Sequence, residues 1–152
     1  MGIGGTGMAS LAGLLVDAGY EVTGSGKGKI YPPMSDQIKN LNIIPYEGYD
    51  PKNIELAKPD MVIIGNVIRK QNPEAQEVLR QRIPYNSMPG ALYDFFLKQR
   101  SPIVIAGTHG KTTTSTMMAW LMSSCRYEPG FLIGGMTQNF KKSYSLGKDS
   151  FF

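Results

Sequence analysis

Cysteine, histidine and tryptophan occur only once each in this chain of 152 residues. A lone cysteine, Cys125, excludes an internal disulfide and fits a reducing compartment. Its place near the end of a helical stretch predicts a small buried side chain. Long apolar runs are absent too. The apolar piece Met8–Val16 is too short to span a bilayer and no positive charge precedes it. That excludes a membrane helix and a signal peptide, and the expected location is cytoplasmic. Blocks of one charge sign are also missing. The formal net charge is +4 and the pI about 9.2, but the lysines and arginines are spread along the chain without interleaved aromatics. This argues against a nucleic-acid partner, and phosphorylated small molecules account equally well for the mildly basic balance. No internal repeat or low-complexity segment appears, and 41% hydrophobic with 18% charged residues describes a globular protein.

What the chain has in quantity is glycine, and much of it sits in two loops. The run Ser101-Pro-Ile-Val-Ile-Ala-Gly-Thr-His-Gly-Lys-Thr-Thr-Thr-Ser115 reads as an apolar strand, a tight glycine loop and a helix from Lys111 to Ser124. Gly107 and Gly110 let backbone N–H groups turn toward an anion, and the helix adds its unpaired N-terminal N–H groups and positive dipole end. In such a phosphate loop Lys111 reaches the β- and γ-phosphates and the Thr112 hydroxyl sits on Mg²⁺. The full P-loop pattern asks for a glycine four residues before Gly-Lys, so this loop is a shortened version. Lys-Thr-Thr-Thr-Ser-Thr is poor helix-forming sequence and needs another reason to be there. His109 lies inside the loop, where it either touches a ligand or packs the turn.

The second loop opens the chain. Gly2-Ile-Gly-Gly-Thr-Gly7 fits GxGxxG, and Met8–Ala18 continues as a helix with Met8, Leu11, Leu14 and Leu15 on its apolar face. Such a loop sets a diphosphate on a helix N-terminus. No strand precedes it, so the central strand of a doubly wound sheet is expected to be missing. Tyr20–Thr23 reads as the second strand. A dinucleotide-binding domain would then carry an acidic residue for the ribose, but Gly24-Ser-Gly-Lys-Gly-Lys29 holds no carboxylate. Lys27 and Lys29 either suit a phosphate, which keeps an NADP-dependent oxidoreductase open, or are solvated loop residues. Two prolines stiffen Ile30–Ser35, with Ser35 expected to cap a short helix to Leu41. Tyr31 and Met34 in that loop either line a ligand or pack a corner.

Ile43–Tyr46 is a third expected strand, and Asp50-Pro51 starts a helix to about Ala57. Met61–Ile64 reads as a strand buried on both faces. Ligands of open α/β sheets lie beyond the carboxyl ends of the strands, which places Asn66, Arg69 and Asn72 toward a substrate. Asn72 also caps a helix begun by Pro73-Glu74. Pro84–Asn86 is a last short strand, and Ser87 caps a helix whose Leu92, Phe95 and Phe96 face a core. The fold class is therefore α/β: a Rossmann-like parallel sheet over residues 1–99, then, over 100–152, the start of a P-loop ATPase-type domain. In that second unit Met117, Trp120 and Leu121, with Met118 and Met122, form an apolar face expected to be core. Phe131–Gly135 reads as a strand, and nothing past Asn139 reads as a further element.

Together the two loops resemble those of the Mur ligases, the ATP-dependent amide-bond-forming enzymes of bacterial cell-wall synthesis. The resemblance covers Gly-Ile-Gly-Gly-Thr-Gly-Met at 2–8, Gly-Tyr-Glu-Val-Thr-Gly-Ser at 19–25, Asn-Pro-Glu at 72–74, Gly-Thr-His-Gly-Lys-Thr-Thr-Thr at 107–114 and Leu-Ile-Gly-Gly at 132–135. Tyr-Pro-Pro-Met-Ser at 31–35 and Gly-Asn-Val-Ile-Arg at 65–69 look most like the branch that joins the tripeptide L-alanyl-γ-D-glutamyl-meso-diaminopimelate to UDP-N-acetylmuramate in peptidoglycan recycling. The branch that adds L-alanine alone is the alternative, and a non-catalytic nucleotide-binding module is a third. The resemblance implies a substrate set of Gly4, Gly5, Thr6, Gly7, Ser25, Tyr31, Asn66, Arg69 and Asn72 around UDP-N-acetylmuramate. It implies an ATP set of Gly107, Thr108, His109, Gly110, Lys111, Thr112 and Thr113, with Lys111 and Thr112 catalytic and Thr112 on Mg²⁺. Relatives carry an aspartate after the second strand where this chain has Gly26. The family's acidic metal ligand, carbamylated lysine and peptide-binding domain fall outside these residues, so the chain is expected to be an N-terminal fragment that is inactive by itself.

Overall fold

The computed structural model describes residues 1–152. In chain order it contains α1 (Thr6–Asp17), β1 (Ser25–Gly26), α2 (Met34–Asn40), β2 (Tyr46–Glu47), α3 (Pro51–Ala57), β3 (Val62–Ile64), α4 (Pro73–Arg80), β4 (Tyr85–Ser87), α5 (Met88–Leu92) continued by a π-helical turn Tyr93–Leu97, α6 (Lys111–Ser124), β5 (Phe131–Leu132) and β6 (Tyr144–Ser145). Three helices start where local chemistry says they must. Asp50 accepts a hydrogen bond from the Lys52 N–H at 2.9 Å, Asn72 from Glu74 and Ala75 at 2.9 and 3.3 Å, and Ser87 from Gly90 at 3.1 Å, each with a proline in the first turn.

The first unit is a parallel sheet built from two pairs, β1 with β2 and β3 with β4. Met1–Ile3 joins them. The Gly2 and Ile3 N–H groups donate to Ser25 O at 2.8 and 3.0 Å, the Met1 amine donates to Ile63 O at 2.8 Å, and Gly65 N–H donates to Met1 O at 3.1 Å. The spatial order is thus β2, β1, residues 1–3, β3, β4, the order of a doubly wound sheet with its first strand at the centre. The central position, expected to be empty, is held by three residues.

That short centre explains where the strands fall. Ladder pairing begins only beside Met1–Ile3, so β1 lies at Ser25–Gly26 rather than Tyr20–Thr23, and β2 at Tyr46–Glu47 rather than Ile43–Tyr46. In β3 only Val62 is fully buried, and Met61 is 42% exposed instead of covered on both faces. Ser35 does not cap α2. The helix has already begun at Met34, Ser35 N–H bonds to Tyr31 O at 3.2 Å, and the position before the helix belongs to Pro33.

α1 is the element the first unit packs around. Ala9 and Ala12 join Ile3, Met34, Ile38 and Ile43 on one side, while Leu11, Leu14 and Leu15 join Ala91, Phe96 and Tyr144 on the other. The last contact is supplied by a segment expected to hold no element. β6 pairs antiparallel with β5, and the Tyr144 ring lies against Gly13 so closely that a Cβ there has no room. Next to it the Ser10 and Ser143 hydroxyls are 2.6 Å apart and Ser143 donates to Gln37 Oε1 at 2.9 Å.

The second unit is thinner. Residues 101–103 run extended beside 150–152, with Ser101 N–H to Ser150 O and Ile103 N–H to Phe152 O both at 2.7 Å, but they form a single bridge rather than the expected strand. They have one backbone neighbour, and Val104 is 80% exposed. α6 has its expected bounds, yet its apolar face is not a core: Met117, Trp120 and Leu121 are 61%, 47% and 60% exposed. Only Ala119 is buried, against Phe131 and Ile133, because the chain supplies covering elements on one side of this helix alone. Cys125 caps the same helix and is exposed, not buried.

Candidate functional site

The first glycine loop turns from the central backbone into α1. The helix has Gly5 at its N-cap, no side-chain cap and no acidic residue in its first turn, so its leading N–H groups are unclaimed and its positive end is uncompensated. In front of it lies a cavity of about 400 Å³ walled by Gly2, Gly4 and Gly5 on one side and by Lys27, Lys29 and Tyr31 on another, with Tyr49 and Val67 alongside. No carboxylate lines it. Burial, and secondarily the Glu74 carboxylate, hold the Tyr49 phenol above its ordinary pKa.

Beneath this cavity is a buried polar tie. Glu74, in the first turn of α4, is 0% exposed. Its carboxylate accepts from Ser25 Oγ at 2.5 Å and from Asn53 Nδ2 at 2.6 Å, joining α4, β1 and α3. Burial pushes the Met1 α-ammonium below its ordinary pKa, and Glu74 opposes that shift. Ser25 is thus engaged by Glu74, while its carbonyl receives Gly2 and Ile3. Asn72 is engaged in capping α4. Of the sequence-expected substrate set, Gly4, Gly5 and Tyr31 line one cavity, Thr6 and Gly7 open α1 behind it, and Asn66 and Arg69 are exposed on the loop that carries Val67. Sequence reasoning missed Tyr49 and Val67. Val67 was visible within Gly-Asn-Val-Ile-Arg at 65–69 but not as a lining residue, and Tyr49 carried no signal.

The second loop leads into α6 through Gly110, whose φ of +78° suits a residue without Cβ. No side chain caps this helix either. Lys111 Nζ donates to Gly107 O at 2.6 Å and Thr108 O at 3.1 Å. An ammonium has three protons, so one remains for a phosphate oxygen arriving at the uncapped N–H groups of the first turn. His109, Thr112 and Thr113 are exposed, and His109 does not fill the turn. The loop therefore suits a phosphate chain. For a metal it offers less: no group of three or more His, Cys, Asp or Glu side chains is available to hold an ion, which leaves the Thr112 hydroxyl as the protein's donor.

The profile described as "Mur ligase family, catalytic domain" matches residues 1–100. The UDP-N-acetylmuramate–L-alanyl-γ-D-glutamyl-meso-2,6-diaminoheptandioate ligase of Escherichia coli (strain K12) is 47% identical over 152 residues, 100% of this chain and 33% of that protein. Among solved structures, the UDP-N-acetylmuramate:L-alanyl-γ-D-glutamyl-meso-diaminopimelate ligase from Neisseria meningitides superposes with a TM-score of 0.89 at 43% identity, covering 94% of this chain and 44% of that one. The UDP-N-acetylmuramate–alanine ligase from Thermotoga maritima gives a TM-score of 0.89 at 27% identity, covering 99% and 34%. The chain spans about a third of the length of the curated relatives it matches. No helix is long and apolar enough to cross a membrane. With the profile lying on the residues that build the doubly wound sheet and its glycine loop, the chain belongs to the Mur ligase family.

Proposed function

We propose that this chain is the nucleotide-sugar-binding and phosphate-loop part of an ATP-dependent ligase that joins L-alanyl-γ-D-glutamyl-meso-diaminopimelate to UDP-N-acetylmuramate in peptidoglycan recycling. The observation that carries the reading is two uncapped helix N-termini, each behind a glycine loop, in one chain. Residues 1–99 hold the UDP-sugar, with its diphosphate on Gly4, Gly5, Thr6 and Gly7. Residues 100–152 contribute Gly107–Thr113 to the ATP site, and the reaction is proposed for the cytoplasm, where both nucleotides are available. The tripeptide is favoured over L-alanine alone by the higher identity to a tripeptide ligase, 47% against 32% for an L-alanine ligase.

In the whole enzyme, Mg-ATP supplies the phosphoryl group that activates the lactyl carboxylate for attack by the peptide amine, with release of phosphate. This chain's own residues orient and stabilise. The α6 N–H groups and the free proton of Lys111 take up negative charge on the terminal phosphates, and the Thr112 hydroxyl is placed as a single metal donor. No group of three or more His, Cys, Asp or Glu side chains gathers to hold an ion, and the 152-residue chain is expected to bind without turning over.

Calorimetric titration of the chain with UDP-N-acetylmuramate, Mg-ATP and NADPH tests this. UDP-N-acetylmuramate is expected to bind saturably, Lys111→Ala to weaken Mg-ATP at least tenfold, and tripeptide-dependent phosphate release to be undetectable. Tighter binding of NADPH than of UDP-N-acetylmuramate would overturn the reading in favour of an oxidoreductase.

A further inference from the structure

The loop Gly26–Tyr31 has Gly26 where the family resemblance leads one to expect an aspartate, and it carries two lysines, Lys27 and Lys29, that the proposed function leaves without a role. We propose that Lys27 and Lys29 form a cationic clamp that grips the diphosphate of the nucleotide sugar from the side opposite the glycine loop. The inference rests on the reading of that cavity as the UDP-sugar site.

Three observations carry it. First, the loop is pinned at both ends, so the backbone that carries the two lysines is held beside the glycine loop. Gly26 is buried in β1, paired with Glu47 and bridged to Gly48. At the other end Ile30 packs onto the glycine loop itself: a Cβ at Gly4 would lie 3.1 Å from Ile30 Cγ1, and Ile30 also joins the cluster of Ile3, Ala9 and Met34. Second, both lysines and three glycines of the opposite wall border the same cavity of about 400 Å³. Third, their charge is uncompensated. Neither lysine forms an ion pair, no carboxylate lines the cavity, and the positive end of α1 adds to the field without an acidic first-turn residue to offset it.

Two ammonium groups and a helix N-terminus around one space repel each other until an anion enters. A diphosphate brings two negative charges close together, with non-bridging oxygens on both faces. One face suits the backbone N–H groups of α1, and the other suits the two ammonium groups, which act as mobile point charges rather than as a rigid fork. In this chain the nucleotide-sugar affinity therefore contains a salt-sensitive part, carried by residues 27 and 29.

Titration of UDP into the wild-type chain, the Lys27→Ala/Lys29→Ala variant and the Lys27→Arg/Lys29→Arg variant, at about 50 mM and about 300 mM salt, tests the clamp. The alanine pair is expected to weaken UDP binding about 10- to 30-fold at low salt and to flatten its salt dependence. The arginine pair is expected to stay within about threefold of wild type, because charge is kept. Both lysines are exposed, so neither variant should alter the urea midpoint. An alanine pair that binds UDP within twofold of wild type overturns the clamp and leaves the site reading standing, and equal losses in both variants overturn it as well, since shape and not charge would then matter. Failure of the wild-type chain to bind either UDP or UDP-N-acetylmuramate removes the site reading, and the clamp with it.

Discussion

Replacing Glu74 by alanine tests whether the buried tie beneath the glycine loop holds the first unit together. The carboxylate is fully buried and accepts hydrogen bonds from Ser25 at 2.5 Å and Asn53 at 2.6 Å. Its charge also offsets part of the desolvation of the Met1 ammonium. Hydrogen bonds to a charged group are worth roughly 1.5–3 kcal/mol each, so two give about 3–6 kcal/mol. Removing the carboxylate also relieves its own desolvation cost, but it leaves the Ser25 hydroxyl without its acceptor, takes one of two acceptors from the Asn53 amide and removes the charge that favours the Met1 ammonium. The net loss expected is about 3–5 kcal/mol, the size seen when one member of a buried charged set is removed. For a domain of ordinary stability that is a large fraction of the total. The assay is urea unfolding of the 152-residue chain, read as a fall in the midpoint with the slope unchanged. Glu74→Gln keeps the shape and one acceptor, and should lose about half as much. UDP affinity should fall in both variants, because Ser25 also receives the Gly2 and Ile3 N–H groups that set the loop. A loss below about 1 kcal/mol for Glu74→Ala, no more than an ordinary substitution costs, would refute the reasoning.

Three further perturbations separate structural from binding roles. Gly13→Ala drives a Cβ into the Tyr144 ring and should cost about 1–3 kcal/mol in urea unfolding; adding Tyr144→Leu should return part of it, and strict additivity would show that the two do not press on each other. Asn72→Ala removes the cap of α4 and should cost about 1 kcal/mol with UDP affinity unchanged, whereas a tenfold loss of affinity would return Asn72 to the substrate set. Hydrogen bonds from Arg80, then Gln81, hold Glu77 near a pKa of about 2, below its ordinary 4.5. A depressed carboxylate stabilises the fold above its unfolded pKa, so that contribution is complete above pH 4.5 and is lost as the pH falls toward 2. The urea midpoint of Glu77→Gln should accordingly change less with pH across that window than the wild type's, and parallel curves would refute the assignment.

What could be read from the chain and what could not divide along the range of the forces involved. Helix starts at Asp50, Asn72 and Ser87 and the full extent of α6 were legible, because a cap is settled by residues two or three apart. β3, β4 and the start of β5 were legible to within a residue; β1 and β2 were not, because a ladder forms only where a neighbour runs, and the neighbour here is three residues of backbone at the start of the chain. Glu74 was visible as an acidic first-turn residue. Its burial depends on Ser25 and Asn53, which lie 49 and 21 positions away. β6 was hidden because polar residues surround Tyr144, whose burial comes from the missing side chain at Gly13 on another element. Both glycine loops were legible as turns into uncapped helices. That Lys27 and Lys29 border the same cavity as the first of them follows from Ile30 packing on Gly4 and could not be read from the sequence.

The two loops share their backbone chemistry and differ in their surroundings, and that difference sets what each can do. An N–H group or an ammonium facing water gains little from a phosphate, since solvent screens the pair; the same groups inside a walled cavity gain several times more. The first loop shares a cavity of about 400 Å³ with Lys27, Lys29, Tyr31 and Tyr49, of which Tyr49 is half-buried and the other three are exposed. The second is barer. Residues 106–114 are exposed, the apolar side chains of Met117, Trp120 and Leu121 stand in solvent beside it, and Lys111 meanwhile spends two of its protons on its own loop. Electrostatic stabilisation of a transferring phosphoryl group depends on excluding water, so chemistry at Lys111 requires that apolar face to be covered. A nucleotide sugar bound as proposed at the first loop would need no such cover, because Gly4, Gly5, Lys27, Lys29 and Tyr31 all lie within the first hundred residues.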